Sequence, residues 1–89
     1  MEIKKDIIIA NELGLHARPA ALFVQTANKF NSEIFVEKSG ERVNGKSIMG
    51  LMMLAAEKGS QITIAVRGDD AASALGALEK LLSGKFGES

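Results

Sequence analysis

The chain has 89 residues, 46% hydrophobic and 25% charged, with eleven basic residues balanced by eleven acidic ones. That length reads as one domain (1–89) with a modest core, and the balanced charge excludes the basic face that a nucleic-acid binder needs. The absence of cysteine excludes disulfides, zinc–thiolate centres and thiol nucleophiles; with one histidine it also argues against a structural transition-metal site, and no cofactor is expected.

The opening Met1-Glu2-Ile3-Lys4-Lys5-Asp6 is too charged for a signal peptide, and no apolar run approaches membrane-spanning length. A cytoplasmic protein without membrane insertion is expected. Lys4 to Ala10 reads as a strand in which three consecutive isoleucines obscure the buried face. If Ile7 and Ile9 point inward, Ile8 lies opposite. Asn11 to Leu15 is a loop, with Gly14 supplying backbone freedom.

A helix is predicted from Ala17 to Asn28 or Phe30. Ala20, Phe23, Val24 and Ala27 recur at helical spacing, Phe30 follows, and Leu22 lies off that stripe. Glu33 to Lys38 is a strand with Ile34 and Val36 inward. Ser39-Gly40 is its turn, and Glu41 to Asn44 returns as a hairpin partner. Ser47 is a good N-cap for a second helix, Ile48 to Lys58, ended by Gly59 and burying Leu51, Leu54 and Ala55.

Gln61 to Arg67 alternates Ile62, Ile64 and Val66 against Gln61, Thr63 and Ala65, the clearest half-buried strand in the chain. Gly68-Asp69-Asp70 breaks it and offers a capping aspartate. The last helix, Ala71 to Leu82, buries Ala74, Leu75, Leu78 and Leu81 or Leu82, and residues 83–89 read as a frayed tail. The order is β-α-β-β-α-β-α. The predicted class is α+β, with three helices on one face of a four-stranded antiparallel sheet and the other face open to water. Glu33, Glu37, Thr63 and Arg67 alternate towards that face, where Phe35 and Ile8 are candidates for weak self-association; a monomer is expected.

The chemistry concentrates in Gly14-Leu15-His16-Ala17-Arg18-Pro19, which holds the only histidine and the only proline. His16 falls at the mouth of the first helix, as its N-cap or the residue before it. Pro19 sits in the first turn, where a missing N–H leaves nothing unpaired. The free amides beyond His16, the positive end of the helix dipole and the Arg18 fork together make an anion site beside an imidazole. A transiently phosphorylated histidine needs that arrangement, although a lone histidine is also an ordinary helix cap. Ser47 has the same double reading. Met49, Met52 and Met53 lie on a helix too short and too apolar to bury them all; with Ala17 and Leu22, the residues Ile48, Met49 and Met52 form a candidate docking patch.

The segment Gly14-Leu15-His16-Ala17-Arg18-Pro19-Ala20 resembles the phosphorylation-site signature of the HPr family, and Lys46-Ser47-Ile48-Met49-Gly50 resembles that family's regulatory serine region. The likeness runs from about Ile7 to Leu82 with the element order intact, and it implies the family's open-faced β-sandwich. It further implies a carrier phosphorylated on His16 Nδ1 by enzyme I, with phosphoenolpyruvate as ultimate donor. The carrier then passes the group to enzyme IIA domains, with the Ala17 and Arg18 amides and the Arg18 side chain holding the phosphate. Such a carrier is not an independent enzyme, because its partners complete each active site.

At Ser47 the resemblance implies phosphorylation by an ATP-dependent HPr kinase/phosphorylase, and recruitment of the modified carrier by a catabolite-control transcription regulator. One position departs from the pattern. Leu13 is apolar where several members carry Ser or Asn, so the phosphate is left to backbone amides and Arg18. The alternatives are an HPr-like regulatory adaptor uncoupled from sugar uptake, a carrier in a nitrogen-type chain, and an interaction domain in which His16 only caps a helix. An autonomous enzyme fits least, since no carboxylate pair, triad or metal set accompanies the histidine.

Overall fold

A computed structural model describes residues 2–88. The elements follow as β1 (Glu2–Ile8), α1 (Ala17–Ala27), β2 (Glu33–Lys38), β3 (Glu41–Asn44), α2 (Ile48–Met53), β4 (Gln61–Arg67) and α3 (Ala71–Ser83), with a closing turn at Lys85–Gly87. The strands pair antiparallel in the order β1-β4-β2-β3. The fold is the expected α+β open-faced β-sandwich with the expected element order.

Side chains alternate across a strand, so register decides which residues meet the helices. Ile7 lies opposite Ile62 and Ile3 opposite Val66, while Ile34 and Val36 face Val66 and Ile64. These rows meet Ala20, Phe23, Val24 and Ala27 of α1, Leu51 of α2 and Ala74, Leu78 and Leu82 of α3 in one apolar cluster. The isoleucine ambiguity resolves as expected, with Ile9 buried and Ile8 55% exposed.

The opposite face is open to water and charged. Arg42 pairs with Glu2 and Glu37, and Phe35 is half-buried between the guanidinium groups of Arg42 and Arg67, at 4.6 and 5.9 Å from its ring centre. The carboxyl groups of Glu2 and Asp70 are both held below the usual carboxylate range, Glu2 mainly by its bond from Arg42.

Three expectations need correction. First, α2 ends at Met53 rather than Lys58. Its last bonds are short-range, Leu54 N–H to Leu51 carbonyl and Ala55 N–H to Met52 carbonyl, and Ala55 then turns left-handed at φ +52°. The chain leaves the helix because the Ala56 carbonyl accepts the Leu15 amide at 2.9 Å; Ala55 is exposed rather than buried, and Gly59 belongs to the next turn, donating to the Ile9 carbonyl.

Second, Asp70 sits at the N-cap position of α3 without capping it. Its carboxylate instead accepts the backbone amides of Asn31 and Ser32 and the Ser32 hydroxyl, tying the α1–β2 loop to the start of α3. These donors, the Ser32 hydroxyl foremost, together with its own backbone amide, hold its carboxyl low.

Third, the C-terminal segment is packed rather than frayed as far as Glu88; Ser89 lies outside the described residues. Ser83 completes α3, and Phe86 is only 5% exposed, because the tail returns an aromatic ring to the apolar cluster.

Candidate functional site

The loop before α1 is shaped by Gly14. Its φ of +58° is left-handed, and a Cβ there would lie 2.8 Å from the Glu57 Cα and closer still to the Ala56 carbonyl oxygen. The backbone of the α2–β4 connection therefore lies directly against the loop, and only glycine fits both the conformation and the gap. Leu15 next to it is buried and donates its amide to Ala56, and the Leu13 carbonyl accepts the His16 amide at 3.3 Å.

These contacts deliver His16 as the N-cap of α1, in extended conformation with φ −68° and ψ −178°. Its carbonyl accepts the Ala20 amide at 2.9 Å. Its imidazole makes no capping hydrogen bond and is exposed. Pro19 has no N–H and Ala20 is spoken for, so the amides left at the helix mouth are those of Ala17 and Arg18, at the positive end of an eleven-residue helix.

The structure groups the predicted residues into neighbouring surfaces. His16 and Ala17 line an open cleft of about 490 Å³ with Met52, Ala55, Ala56 and Glu57. Arg18 lines a different pocket of about 340 Å³ with Glu12, Leu13, Phe86 and Glu88, and among the described residues it forms no salt bridge. Its side chain is uncommitted and lies beside the cleft rather than in it. Glu12 is engaged elsewhere: the Lys58 ammonium at 2.6 Å holds its carboxyl below the usual range.

Along α2, Ile48, Met49 and Met52 are exposed, Met49 by 70%, while Leu22 is only half-buried and packs against the core. Ser47 is the N-cap of α2 and its Oγ accepts the Gly50 amide at 3.0 Å. Ser47 thus opens the helix whose Met52 lines the cleft.

Sequence reasoning missed several neighbours. Ala55 and Glu57 enter the cleft because α2 stops early. Asn11 is buried in the loop and bonded to Glu88. An aromatic residue set between Gly84 and Gly87 was the available sign that the tail returns to the body of the protein, since a lone Phe86 has little reason to sit in a frayed end.

A family model described as the PTS HPr component phosphorylation site matches residues 3–84. The chain belongs to the HPr family. The phosphocarrier protein HPr of Neisseria meningitidis serogroup A is 56% identical over 86 residues, covering 97% of each chain. The crystal structure of HPr from Thermoanaerobacter tengcongensis superposes with a TM-score of 0.95 at 52% identity, over 98% of both chains. Crh of Bacillus subtilis, a catabolite-repression relative whose structure is a domain-swapped dimer, is 44% identical with a TM-score of 0.76, over 93% of this chain and 95% of its own. HPr membership places this chain among the phosphocarriers of the phosphotransferase system. None of its described helices is long and apolar enough to cross a membrane.

Proposed function

We propose that this chain accepts a phosphoryl group on His16 from enzyme I and passes it to enzyme IIA domains, serving sugar uptake from the cytoplasm as a monomer. The observation that carries the reading is the exposed, uncapped imidazole of His16 at a helix mouth where the Ala17 and Arg18 amides are free. Neutral imidazole is a competent nucleophile near neutral pH. Its Nδ1 attacks phosphorus, the new N–P bond forming as the bond to the donor breaks, and the same exchange runs in reverse toward the next acceptor. The two amides and the Arg18 guanidinium, once turned from its neighbouring pocket, stabilise the added charge by position and electrostatics. The chain needs neither metal nor cofactor for this, and its partners supply the rest of each active site, so it is a carrier rather than an enzyme.

Partner docking falls to Ala17, Ile48, Met49 and Met52, with Leu22 behind them. An apolar surface of adaptable thioethers suits several partners in turn. Ser47 is the regulatory site: an HPr kinase/phosphorylase transfers phosphate from ATP to its Oγ, and a catabolite-control transcription regulator recruits the product. A dianion at the start of α2 meets the positive end of the helix, so it leaves the fold intact and instead places charge at the edge of the docking surface.

Steady-state transfer from enzyme I to wild type and Ser47→Asp tests both halves. Slower transfer to a variant with unchanged melting supports the account. Equal rates remove Ser47 as a brake. The likeness to Crh favours a second reading, a regulatory adaptor uncoupled from sugar uptake. A chase of phosphorylated carrier with enzyme IIA separates the two, since an adaptor retains its phosphate.

A further inference from the structure

The C-terminal segment reaches the phosphorylation loop from the far end of the chain. The Glu88 carboxylate accepts the Asn11 Nδ2 at 2.8 Å on one oxygen and the Leu13 amide at 3.2 Å on the other. Leu13 is therefore held at its N–H by Glu88 and at its carbonyl by the amide of His16. Asn11 donates a second bond to the Gly14 carbonyl at 2.9 Å, and among the described residues its buried Oδ1 has no partner. The orientation of that amide thus rests on its two donated bonds, one of which ends on Glu88.

The fold accepts unfavourable backbone to place this carboxylate. Lys85 and Phe86 both lie at φ +55°, a region that side-chain-bearing residues avoid. The turn they form is closed by the Gly87 amide on the Gly84 carbonyl and the Glu88 amide on the Lys85 carbonyl, and it is anchored by the buried Phe86 ring. Arg18 lines the same pocket as Glu88 without forming a salt bridge to it, so the carboxylate is spent on the loop and the guanidinium stays available.

We propose that Glu88 is a positioning residue for phosphoryl transfer at His16, acting through Leu13 and Asn11. The proposal rests on the phosphocarrier reading above. In-line transfer is sensitive to sub-ångström placement of the nucleophile, and a carboxylate accepting two donors is a stronger clamp than a neutral acceptor. Glu88→Ala removes both bonds. Glu88→Gln keeps one acceptor oxygen for one donor and turns an NH2 toward the other, so it restores only part of the clamp.

The test is transfer from enzyme I, with phosphoenolpyruvate as donor, to wild type, Glu88→Ala and Glu88→Gln. It is read as kcat and KM alongside amide exchange at Leu13 and melting temperature. Loss of both charge-assisted bonds, one part-buried and one exposed, predicts kcat lower by about three- to tenfold in Glu88→Ala and less in Glu88→Gln, with little change in KM. Leu13 exchange rises by about tenfold, while melting hardly moves.

Unchanged kcat with wild-type phosphorylation intact overturns the proposal. A change in KM alone makes Glu88 a partner contact and also overturns it, as does slowed transfer with Leu13 exchange unaltered. A wild type that enzyme I does not phosphorylate overturns the phosphocarrier reading, and the positioning role falls with it.

Discussion

Replacing Gly14 with alanine probes the joint on which the site is built. The added Cβ must adopt the φ of +58° and enter a gap where the Glu57 Cα is 2.8 Å away and the Ala56 carbonyl oxygen nearer. The left-handed conformation costs an L-residue about 1–2 kcal/mol. The obstructing atoms are backbone, so they retreat only by stretching the Leu15–Ala56 hydrogen bond, worth about 1 kcal/mol. The sum is about 2–3 kcal/mol, and for a domain of this size that lowers the melting temperature by roughly 10–25 °C.

Chemical denaturation with a two-state fit measures the loss directly. Ala55→Gly is the matched control on the facing segment, where a side-chain-bearing residue already sits at φ +52°. There the relief of the left-handed penalty outweighs the extra freedom of the unfolded chain, and stability is unchanged or raised by up to ~1 kcal/mol. A Gly14→Ala protein within about 1 kcal/mol of wild type, or an Ala55→Gly protein less stable than it, refutes the account of this joint.

Phe86→Ala empties a site at the edge of the apolar cluster and is expected to cost about 3 kcal/mol by denaturant unfolding, where a frayed tail predicts no change. The Asp70 carboxyl is depressed in the fold by the Ser32 hydroxyl and then the Asn31 amide. Its contribution is therefore present above the unfolded carboxylate value and lost as pH falls from about 4 through the folded value. Melting from pH 2 to 6 should fall less steeply in Asp70→Asn than in wild type, and parallel profiles contradict the assignment. Met52→Glu places charge in the cleft beside His16 at an exposed position. It should leave melting within a few degrees while weakening enzyme I binding at least severalfold, whereas unfolding returns Met52 to the core.

Much of this was legible because period and punctuation agree in most of the chain. β2, the hairpin and β4 are flanked by turn residues and their bounds match the structure residue for residue, although Ala65, read with the outward row of β4, is buried. His16 could be placed at the helix mouth because Pro19 fixes a first turn. The failures share one physical origin, contacts distant in sequence. Residues 54–58 have good helical propensity, but the Leu15 amide claims the Ala56 carbonyl and the helix stops. Asp70 is a sound capping residue by local rules, yet the loop at Asn31 and Ser32 competes for its carboxylate and wins. Glu88 is bound by Asn11 and Leu13, some seventy-five residues upstream, and Phe86 joins the apolar cluster, neither of which a window-based reading sees. Arg18 is the intermediate case. Its position beside the site was legible, while its rotation into a separate pocket depends on the packed tail.

The most direct test of the central claim is intact-mass analysis of wild type and His16→Ala after incubation with enzyme I and phosphoenolpyruvate, repeated after mild acid. The account predicts a gain of one phosphoryl group that acid removes, present in wild type and absent from the variant. Phosphate that survives acid, or that still appears on His16→Ala, would contradict transfer through His16. No gain from a competent enzyme I would leave the HPr fold and family without the carrier function in this chain.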